Sequence, residues 1–298
     1  MDDQAKGLWI TLIGVLFVVP DSLFVRLIGA EPLVTSFWRG GLSGGLILLW
    51  LLATQGVEPF KDVAKTGIYG AIFTLSAGVA GILFVLAVSL TTVANVVLII
   101  AVMPIFASIY SRIFLGEPIS VRMIWTMVTV AVGLAIIAIG SGEVEQAHWS
   151  GDLVALCVAM LFPAGLTAAR KVRHVSMVPA VAVGYLAASC ALAMVISPLA
   201  VPEGKWPLVF MHGSFITVSA IGLALGPRYI TSAEVGLLIL LESVLAPLIA
   251  WAVIGEAPGG YALLGGALVV GALVVSNVVA LRRVKGTPPR ARVGNRHP

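Results

Sequence analysis

The chain has 298 residues, of which 59% are hydrophobic and 11% are charged, with a mean hydropathy of +1.07 and a formal net charge of +4. Its few polar residues cannot cover the surface of a water-soluble fold of this size, which excludes that class of protein. The composition predicts a protein whose main partner is the lipid bilayer.

Ten apolar segments follow one another along the chain. Each has about 20 residues, the length with which an α-helix crosses a hydrocarbon layer roughly 30 Å thick. They are too long for the strands of a membrane barrel and lack the alternation of such strands. The sequence therefore predicts an all-α polytopic membrane protein with ten transmembrane helices. The predicted spans are 7–29, 32–54, 66–88, 91–114, 120–139, 151–170, 177–198, 210–227, 231–254 and 258–281.

Spans 1 and 2 carry ionisable residues, Asp21 and Arg39, at similar predicted depths. An ionisable residue inside a bilayer needs a partner or a function because its desolvation costs free energy. We predict an ion pair between Asp21 and Arg39 that acts either as a structural bridge or as a gate or substrate contact. Pro20 and Asp21, together with the length of span 1, argue against a cleaved signal peptide.

Residues of spans 1, 3, 4, 6 and 9 are candidates for the lining of a substrate cavity. Prolines inside spans free backbone carbonyls and bend helices around a cavity, and aromatic side chains supply an apolar lining. Glu242, near the middle of span 9, can bind an ammonium group, carry a proton or stabilise helix packing. The predicted substrate-binding residues are Phe17, Pro20, Asp21, Phe73, Asn95, Ile99, Met103, Phe162, Pro163, Leu238, Leu241 and Glu242.

Histidine and cysteine positions argue against an enzyme. The four histidines fall in predicted loops, at span ends or in the tail, and the two cysteines lie far apart within spans. These residues are His148, His174, His212, His297, Cys157 and Cys190. We therefore expect no catalytic residue, no metal site and no cofactor. A phosphate-binding G-x-x-x-x-G-K-[ST] loop is missing from the sequence, so we expect no use of ATP.

The basic residues predict an orientation. With ten spans, both termini lie on one side, and nearly all Lys and Arg residues fall on that side. The positive-inside rule predicts cytoplasmic termini in a bacterial inner membrane. The net charge thus reflects topology, and we expect no nucleic-acid partner. Residues 282–298 are predicted to form a basic, disordered cytoplasmic tail.

The sequence repeats itself at a spacing of 139 residues, most clearly in spans 4 and 9. The matching polar and turn residues are Thr92 with Thr231, Gly116 with Gly255 and Glu117 with Glu256. Five spans per half is an odd number, so the second half must enter the membrane from the opposite face. We predict two inverted five-helix repeats, residues 1–140 and 151–281, the architecture of many secondary transporters.

Three segments resemble a known family. Phe37–Gly41, Val102–Pro118 and Leu240–Glu256 look like EamA-type members of the drug/metabolite transporter superfamily. The spacing of Glu242 and Pro247 is most similar to that of the YddG-type exporters of aromatic and other amino acids. The resemblance implies a secondary transporter that exports small metabolites, with neutral amino acids as the favoured class, by alternating access.

Other functions remain open at this stage. The alternatives are a nucleotide-sugar or drug/organic-cation transporter of the same superfamily, or a passive channel. Small residues such as Gly40 and Gly44 favour close helix packing, which is compatible with a monomer or a weak dimer.

Overall fold

The computed structural model describes residues 3–116, 118–140, 148–229 and 232–285. These ranges contain thirteen α-helices, one 3-10 turn and no β-strand. The helices are α1 (Asp3–Val18), α2 (Asp21–Ile28), α3 (Pro32–Thr54), α4 (Glu58–Lys65), α5 (Ile68–Leu90), α6 (Val93–Ile100), α7 (Met103–Leu115), α8 (Val121–Gly140), α9 (Trp149–Lys171), α10 (Val178–Ala193), α11 (Trp206–Leu225), α12 (Ser232–Ile254) and α13 (Gly260–Lys285).

The apolar helices account for the ten predicted spans. Seven helical segments of the described ranges are long and apolar enough to cross a membrane, and three shorter apolar helices follow the remaining predictions. The all-α membrane fold is thus confirmed. Two spans are each divided into two helices, α1 with α2 and α6 with α7. The short helix α4, which lies between the second and third spans, was not predicted.

The prolines have two different effects. Pro20 and Pro104 lie at the beginnings of α2 and α7, where their spans are interrupted. Pro163 and Pro247 lie inside continuous helices, α9 and α12. A proline at the start of a helix loses no internal hydrogen bond, whereas one in the interior removes a bond and bends the helix. The two halves therefore interrupt equivalent spans differently.

Packing between the halves follows a pseudo-two-fold pattern. Helices α5 and α11 are counterparts in the two repeats. Helix α5 packs on α9 and α10, and α11 packs on their counterparts α1 and α3. Three counterpart pairs pack directly on each other, namely α3 with α10, α6 with α12 and α8 with α13. This set of contacts is unchanged when the two halves are exchanged. That is the packing expected of two inverted repeats.

Successive spans alternate in direction, which divides the helix ends between two faces. The face where α1 and α5 begin carries exposed lysines and arginines, including Lys6, Lys65, Arg170 and Arg228. We call it the basic face, and the opposite one, where α2 and α5 end, the distal face. Helix α13 reaches the basic face at Lys285, four residues beyond the predicted end of its span at residue 281, while residues 286–298 lie outside the described ranges.

Glycines bring helices of the two halves into close contact. A Cβ added to Gly78 in α5 would lie 2.6 Å from the carbonyl oxygen of Gly184 in α10, and a Cβ on Gly184 would overlap the carbonyl oxygen of Thr74. Only a residue without a side chain permits this approach of two backbones. Gly40 and Gly44 of α3 face α10 in the same way. Small residues therefore serve contact within the chain here.

We expect Gly184→Ala to destabilise the protein, because the new methyl group must displace the α5 backbone. Overpacking of this kind costs typically about 1–3 kcal/mol. The matched control is Gly45→Ala in α3, where an added Cβ would have no atom within 4 Å. The measurement is the thermal unfolding midpoint of both variants in detergent. Equal midpoints would show that the α5–α10 contact is not tight.

Candidate functional site

Two connected cavities lie between the halves. The larger one, the vestibule, has a volume of about 450 Å³ and is lined partly by arginines of the basic face. The smaller one, the chamber, has about 130 Å³ and lies deeper in the bundle. The two are continuous because they share lining residues. The shared residues are Phe73, Met103, Leu166, Leu223, Ala224 and Ile239. The vestibule is within the range of roughly 300–1,000 Å³ typical of small-molecule sites.

A buried ionic cluster forms one wall of the chamber. Arg39 in α3 donates from Nε to Asp21 Oδ1 over 3.0 Å and from Nη2 to Asp21 Oδ2 over 2.5 Å. His212 in α11 lies with Nε2 2.7 Å from Asp21 Oδ1. All three side chains are buried, with Asp21 and His212 each 1% exposed. Every bond to Asp21 replaces hydration that the carboxylate loses inside the membrane.

Aromatic rings support this cluster. The guanidinium of Arg39 lies 5.5 Å from the ring centre of Phe84 and 6.0 Å from that of Tyr185. The His212 ring stacks on Phe24 with centroids 5.3 Å apart. Arg39 Nη1 makes none of the bonds to Asp21, and Arg39 is part of the chamber lining. The cluster thus contributes the Arg39 guanidinium to the chamber lining, next to Tyr185, which also lines it.

Glu242 in α12 is a second charged group of the chamber lining. Its side chain is partly exposed to the cavity, and it makes no hydrogen bond or ion pair with any residue that the structure describes. Asp21 and Arg39 are charged residues that line the same chamber. The rest of the lining is mainly apolar. Glu242 is therefore a carboxylate available to a group inside the chamber.

Repeat-equivalent residues meet at this cavity. Ile100 and Ile239, which match in the 139-residue repeat, both line the chamber, as do the equivalent residues Met103 and Glu242. A residue and its counterpart can line one small cavity only if the pseudo-two-fold axis passes close to it. The position is that expected for a substrate site in an inverted-repeat transporter.

At the distal face, polar contacts join the ends of four helical segments. Glu256 accepts a hydrogen bond from the backbone N–H of Val93, at the start of α6, and forms an ion pair of 3.1 Å with Arg26 Nε. Arg26 Nη2 donates to the carbonyl oxygen of Thr91 over 2.7 Å. We call Arg26, Thr91, Val93 and Glu256 the distal clamp. It connects α2 and α6 of one half to the end of α12 in the other.

A further contact strengthens the same region. Asp152 at the start of α9 accepts hydrogen bonds from Thr91 Oγ1 over 2.8 Å and from Asn95 Nδ2 over 3.2 Å. Thr92 caps α6 by accepting from the Asn95 backbone N–H. The bonds to Asp152 also join the two halves. In this structure the vestibule thus lies on the basic face, while polar contacts hold the halves together at the distal face.

Half of the predicted substrate-binding residues line the two cavities. These are Asp21, Phe73, Met103, Phe162, Pro163 and Glu242. The predicted partners Asp21 and Arg39 lie in direct contact. Whether any of these residues binds a substrate stays a prediction.

The other six predicted residues lie outside the cavity lining. Ile99 and Leu238 each lie one position before a residue that lines the chamber. One position along a helix rotates a side chain by about 100°, so neither of the two is part of the chamber lining. Phe17 packs against Phe215 with ring centroids 4.8 Å apart, and Leu241 points outward from the bundle. The remaining two are Pro20, which begins α2, and Asn95, which binds Asp152.

His212 was expected at a span end, and that expectation is wrong. The expected span begins at residue 210, whereas α11 begins at Trp206, which moves His212 into the buried part of the helix. The four residues before it in α11 are apolar, and this was the signal available in the sequence. Groups of three or more His, Cys, Asp or Glu that could hold a metal ion do not occur in the described part of the chain.

We expect His212→Ala to destabilise the protein because it leaves Asp21 Oδ1 with one bonding partner fewer in a buried site. An unsatisfied buried acceptor costs about 1–3 kcal/mol, and more when it is charged. His174→Ala is the matched control, since His174 is exposed in the turn after α9. Thermal unfolding in detergent measures both. A His212→Ala midpoint equal to that of the control would mean that the contact does not stabilise the fold.

Comparison with known proteins identifies the family. The model of the EamA-like transporter family matches the chain twice, over residues 5–139 and 149–278. A search of curated proteins finds no match. One solved crystal structure has the same fold, with a TM-score of 0.67 and 19% sequence identity over 95% of this chain and 100% of its own. Since the family model matches most of the sequence, the chain belongs to the EamA-like transporter family of the drug/metabolite transporter superfamily.

Proposed function

We propose that the protein exports small zwitterionic metabolites, with neutral amino acids as the favoured class, by alternating access. The observation that carries the proposal is the chamber, which presents Glu242 and part of Arg39 within an otherwise mainly apolar lining. A free amino acid has the complementary groups, namely an ammonium, a carboxylate and a side chain. The earlier resemblance to YddG-type exporters favours the same class of substrate.

Each charged group of the substrate has a candidate partner. The ammonium would bind the Glu242 carboxylate, which lacks a partner among the described residues. The carboxylate would approach the Arg39 guanidinium, beside Tyr185 in the same lining. Hydrogen bonds between ionised groups are roughly twice as strong as neutral ones. An apolar side chain would pack on Phe73, Met103 or Phe162.

The charges of the two faces support an orientation of the protein in the membrane. We propose that the basic face is cytoplasmic, in agreement with the positive-inside rule, so that both chain ends lie in the cytoplasm of a bacterium. The vestibule then opens toward the cytoplasm, where an exporter must collect its substrate. Release outside requires the distal clamp to open and the vestibule to close.

A nucleotide-sugar or other anionic substrate is the second candidate. Arg122, Arg170, Arg173 and Arg228 all line the vestibule, and arginine is suited to phosphate. Arg122 donates to the carbonyl oxygen of Ser276, and Arg170 contacts Ser111. The deeper chamber, in contrast, contains one arginine, and that one is paired with Asp21. The position of the carboxylate at Glu242 therefore favours an amine-bearing substrate.

Counterflow in proteoliposomes tests the substrate class. We expect saturable uptake of labelled L-phenylalanine or L-leucine into vesicles loaded with the unlabelled amino acid, and no comparable uptake of UDP-glucose or tetraethylammonium. Glu242→Gln should reduce this uptake about tenfold or more, since loss of a charged hydrogen bond costs roughly 1.5–3 kcal/mol.

Glu203→Gln is the matched control, because Glu203 is exposed in the segment between α10 and α11. Uptake that never saturates would indicate a channel. Preferential uptake of UDP-glucose would favour the second candidate, and full activity of Glu242→Gln would remove Glu242 from the site.

Accessibility of the chamber tests the distal clamp. We expect Arg26→Gln to open the distal face more often, because it removes the ion pair with Glu256 and the bond to Thr91. A loss of about 1–2 kcal/mol shifts an equilibrium by a factor of roughly 5–30. The reporter is Ser219→Cys, a buried chamber position, in a protein with Cys157 and Cys190 replaced by Ser.

A membrane-impermeant thiol reagent added at the distal face should label this reporter faster in Arg26→Gln. The control is Lys205→Gln, which removes a cation near the same face but outside the distal clamp. Equal labelling rates in the two variants would argue against a gating role for the distal clamp.

A further inference from the structure

The vestibule collects positive charge from three parts of the chain. Arg122 lies in the first turn of α8 and Arg170 in the last turn of α9. Arg173 follows α9, and Arg228 ends the 3-10 turn after α11. All four line the vestibule, and its described lining contains no aspartate or glutamate. A cleft with apolar walls and charges of one sign raises the local concentration of the opposite charge, so the vestibule attracts an anion.

The positive-inside rule explains on which face these arginines lie, but not why they line one cavity. Elsewhere on the basic face, Lys61 and Lys65 of α4 are each paired with an acidic residue of the same helix. Arg173 and Arg228 are exposed and form no hydrogen bond or ion pair with a residue that the structure describes. Their guanidinium groups are therefore available to a ligand in the vestibule.

The vestibule also reaches a gap between α7 and α8. In the described part of the chain, α7 packs mainly on α9, and α8 packs mainly on α13. The counterparts of α7 and α8 are the second part of α12 and α13, and these two pack on each other. Both α7 and α8 line the vestibule, with Ser111 and Met123 among the residues that they contribute. The separation of the two helices thus gives the vestibule a lateral side.

The rim of this gap is apolar. Phe114 of α7 is 69% exposed and Trp125 of α8 is 68% exposed. Exposed apolar side chains of a membrane protein contact the acyl chains of lipids, and tryptophan prefers the level of the headgroups. The gap between α7 and α8 therefore adjoins the lipid leaflet at the basic face.

From these observations we infer that the vestibule binds an anionic phospholipid of this leaflet, which enters between α7 and α8. The phosphate diester binds Arg173 and Arg228, since the planar guanidinium group is suited to phosphate oxygens. An acyl chain packs on the apolar lining, which includes Ala107, Ile119 and Met123. Basic pockets between membrane helices are known to hold anionic headgroups in this way. The inference does not depend on which substrate is transported.

Native mass spectrometry of the full-length protein in a non-ionic detergent tests the binding. The probe is phosphatidylglycerol, and phosphatidylcholine with the same acyl chains is the zwitterionic comparison. We expect the protein to retain one phosphatidylglycerol at lipid concentrations where it retains no phosphatidylcholine. The double variant Arg173→Gln/Arg228→Gln should bind phosphatidylglycerol roughly tenfold to thirtyfold more weakly, because each basic residue near a headgroup contributes about fivefold to the affinity.

The matched control is the double variant Arg112→Gln/Lys171→Gln. It removes the same number of exposed cations from the same face, but neither residue lines the vestibule. Its affinity for phosphatidylglycerol should equal that of the unmodified protein. All four substituted residues are exposed, so both double variants should fold as the unmodified protein does.

A thiol reporter tests the same binding in a bilayer. Ser108→Cys places a thiol in the vestibule, in a protein with Cys157 and Cys190 replaced by Ser. A neutral maleimide should label it severalfold more slowly in nanodiscs of phosphatidylglycerol than in nanodiscs of phosphatidylcholine. Arg112→Cys, on the same helix but outside the vestibule lining, corrects both rates for the effect of the membrane surface.

Several outcomes would overturn the inference. Equal binding of the two lipids would exclude recognition of the anionic headgroup. Unchanged affinity in Arg173→Gln/Arg228→Gln, or equal corrected labelling rates of Ser108→Cys in the two bilayers, would place the lipid outside the vestibule. Binding of glycerophosphoglycerol, the headgroup without acyl chains, as tightly as phosphatidylglycerol would identify a soluble phosphate ester as the ligand instead of a lipid. None of these measurements uses transport, so their failure leaves the proposed function unaffected.

Discussion

Direct packing between the two halves is the constraint on which the rest of the structure depends. Each half contributes helices that find their main neighbours in the other half, and α5 and α10 approach closely enough for Gly78 to contact the Gly184 backbone. In lipid, association of helices relies on such close packing because the solvent is as apolar as the side chains. The packed helices leave a gap along the pseudo-two-fold axis, and the chamber and vestibule occupy this gap.

The polar groups follow from this arrangement. Lipid cannot solvate a charge, so ionisable side chains at membrane depth must lie between helices, where they bond to each other or face a cavity. Asp21, Arg39 and His212 satisfy each other by bonds that connect the first half to the second. Glu242 has no such partner among the described residues. We propose that this carboxylate has its function in the cavity that it faces.

The spans were predictable because their length and apolar character are required by the thickness of the bilayer. The contact of Asp21 with Arg39 was expected from depth alone, since two opposite charges at one level have few other partners. Helix rotation was not predictable in a helix that is apolar on all sides, and Ile99 and Leu238 were accordingly predicted one position away from Ile100 and Ile239. His212 was missed because the start of its helix was placed four residues late. The partner of Glu256 could not be found from the Gly-Glu repeat, because sequence identity does not indicate which helix end lies nearby.

The two repeats differ in the residues that line the chamber. This difference would affect how the chamber recognises a substrate. Met103 and Glu242 occupy equivalent positions on the two sides of the chamber, so one half offers a thioether where the other offers a carboxylate. Arg39 adds a guanidinium from the first half. A fully symmetric chamber would bind a substrate equally well in two orientations related by the axis. Because the Glu242 carboxylate and the Arg39 guanidinium come from opposite halves, the proposed zwitterionic substrate would have one favourable orientation. The lining would then be asymmetric, while the backbone keeps the symmetry that the proposed alternation of two openings requires.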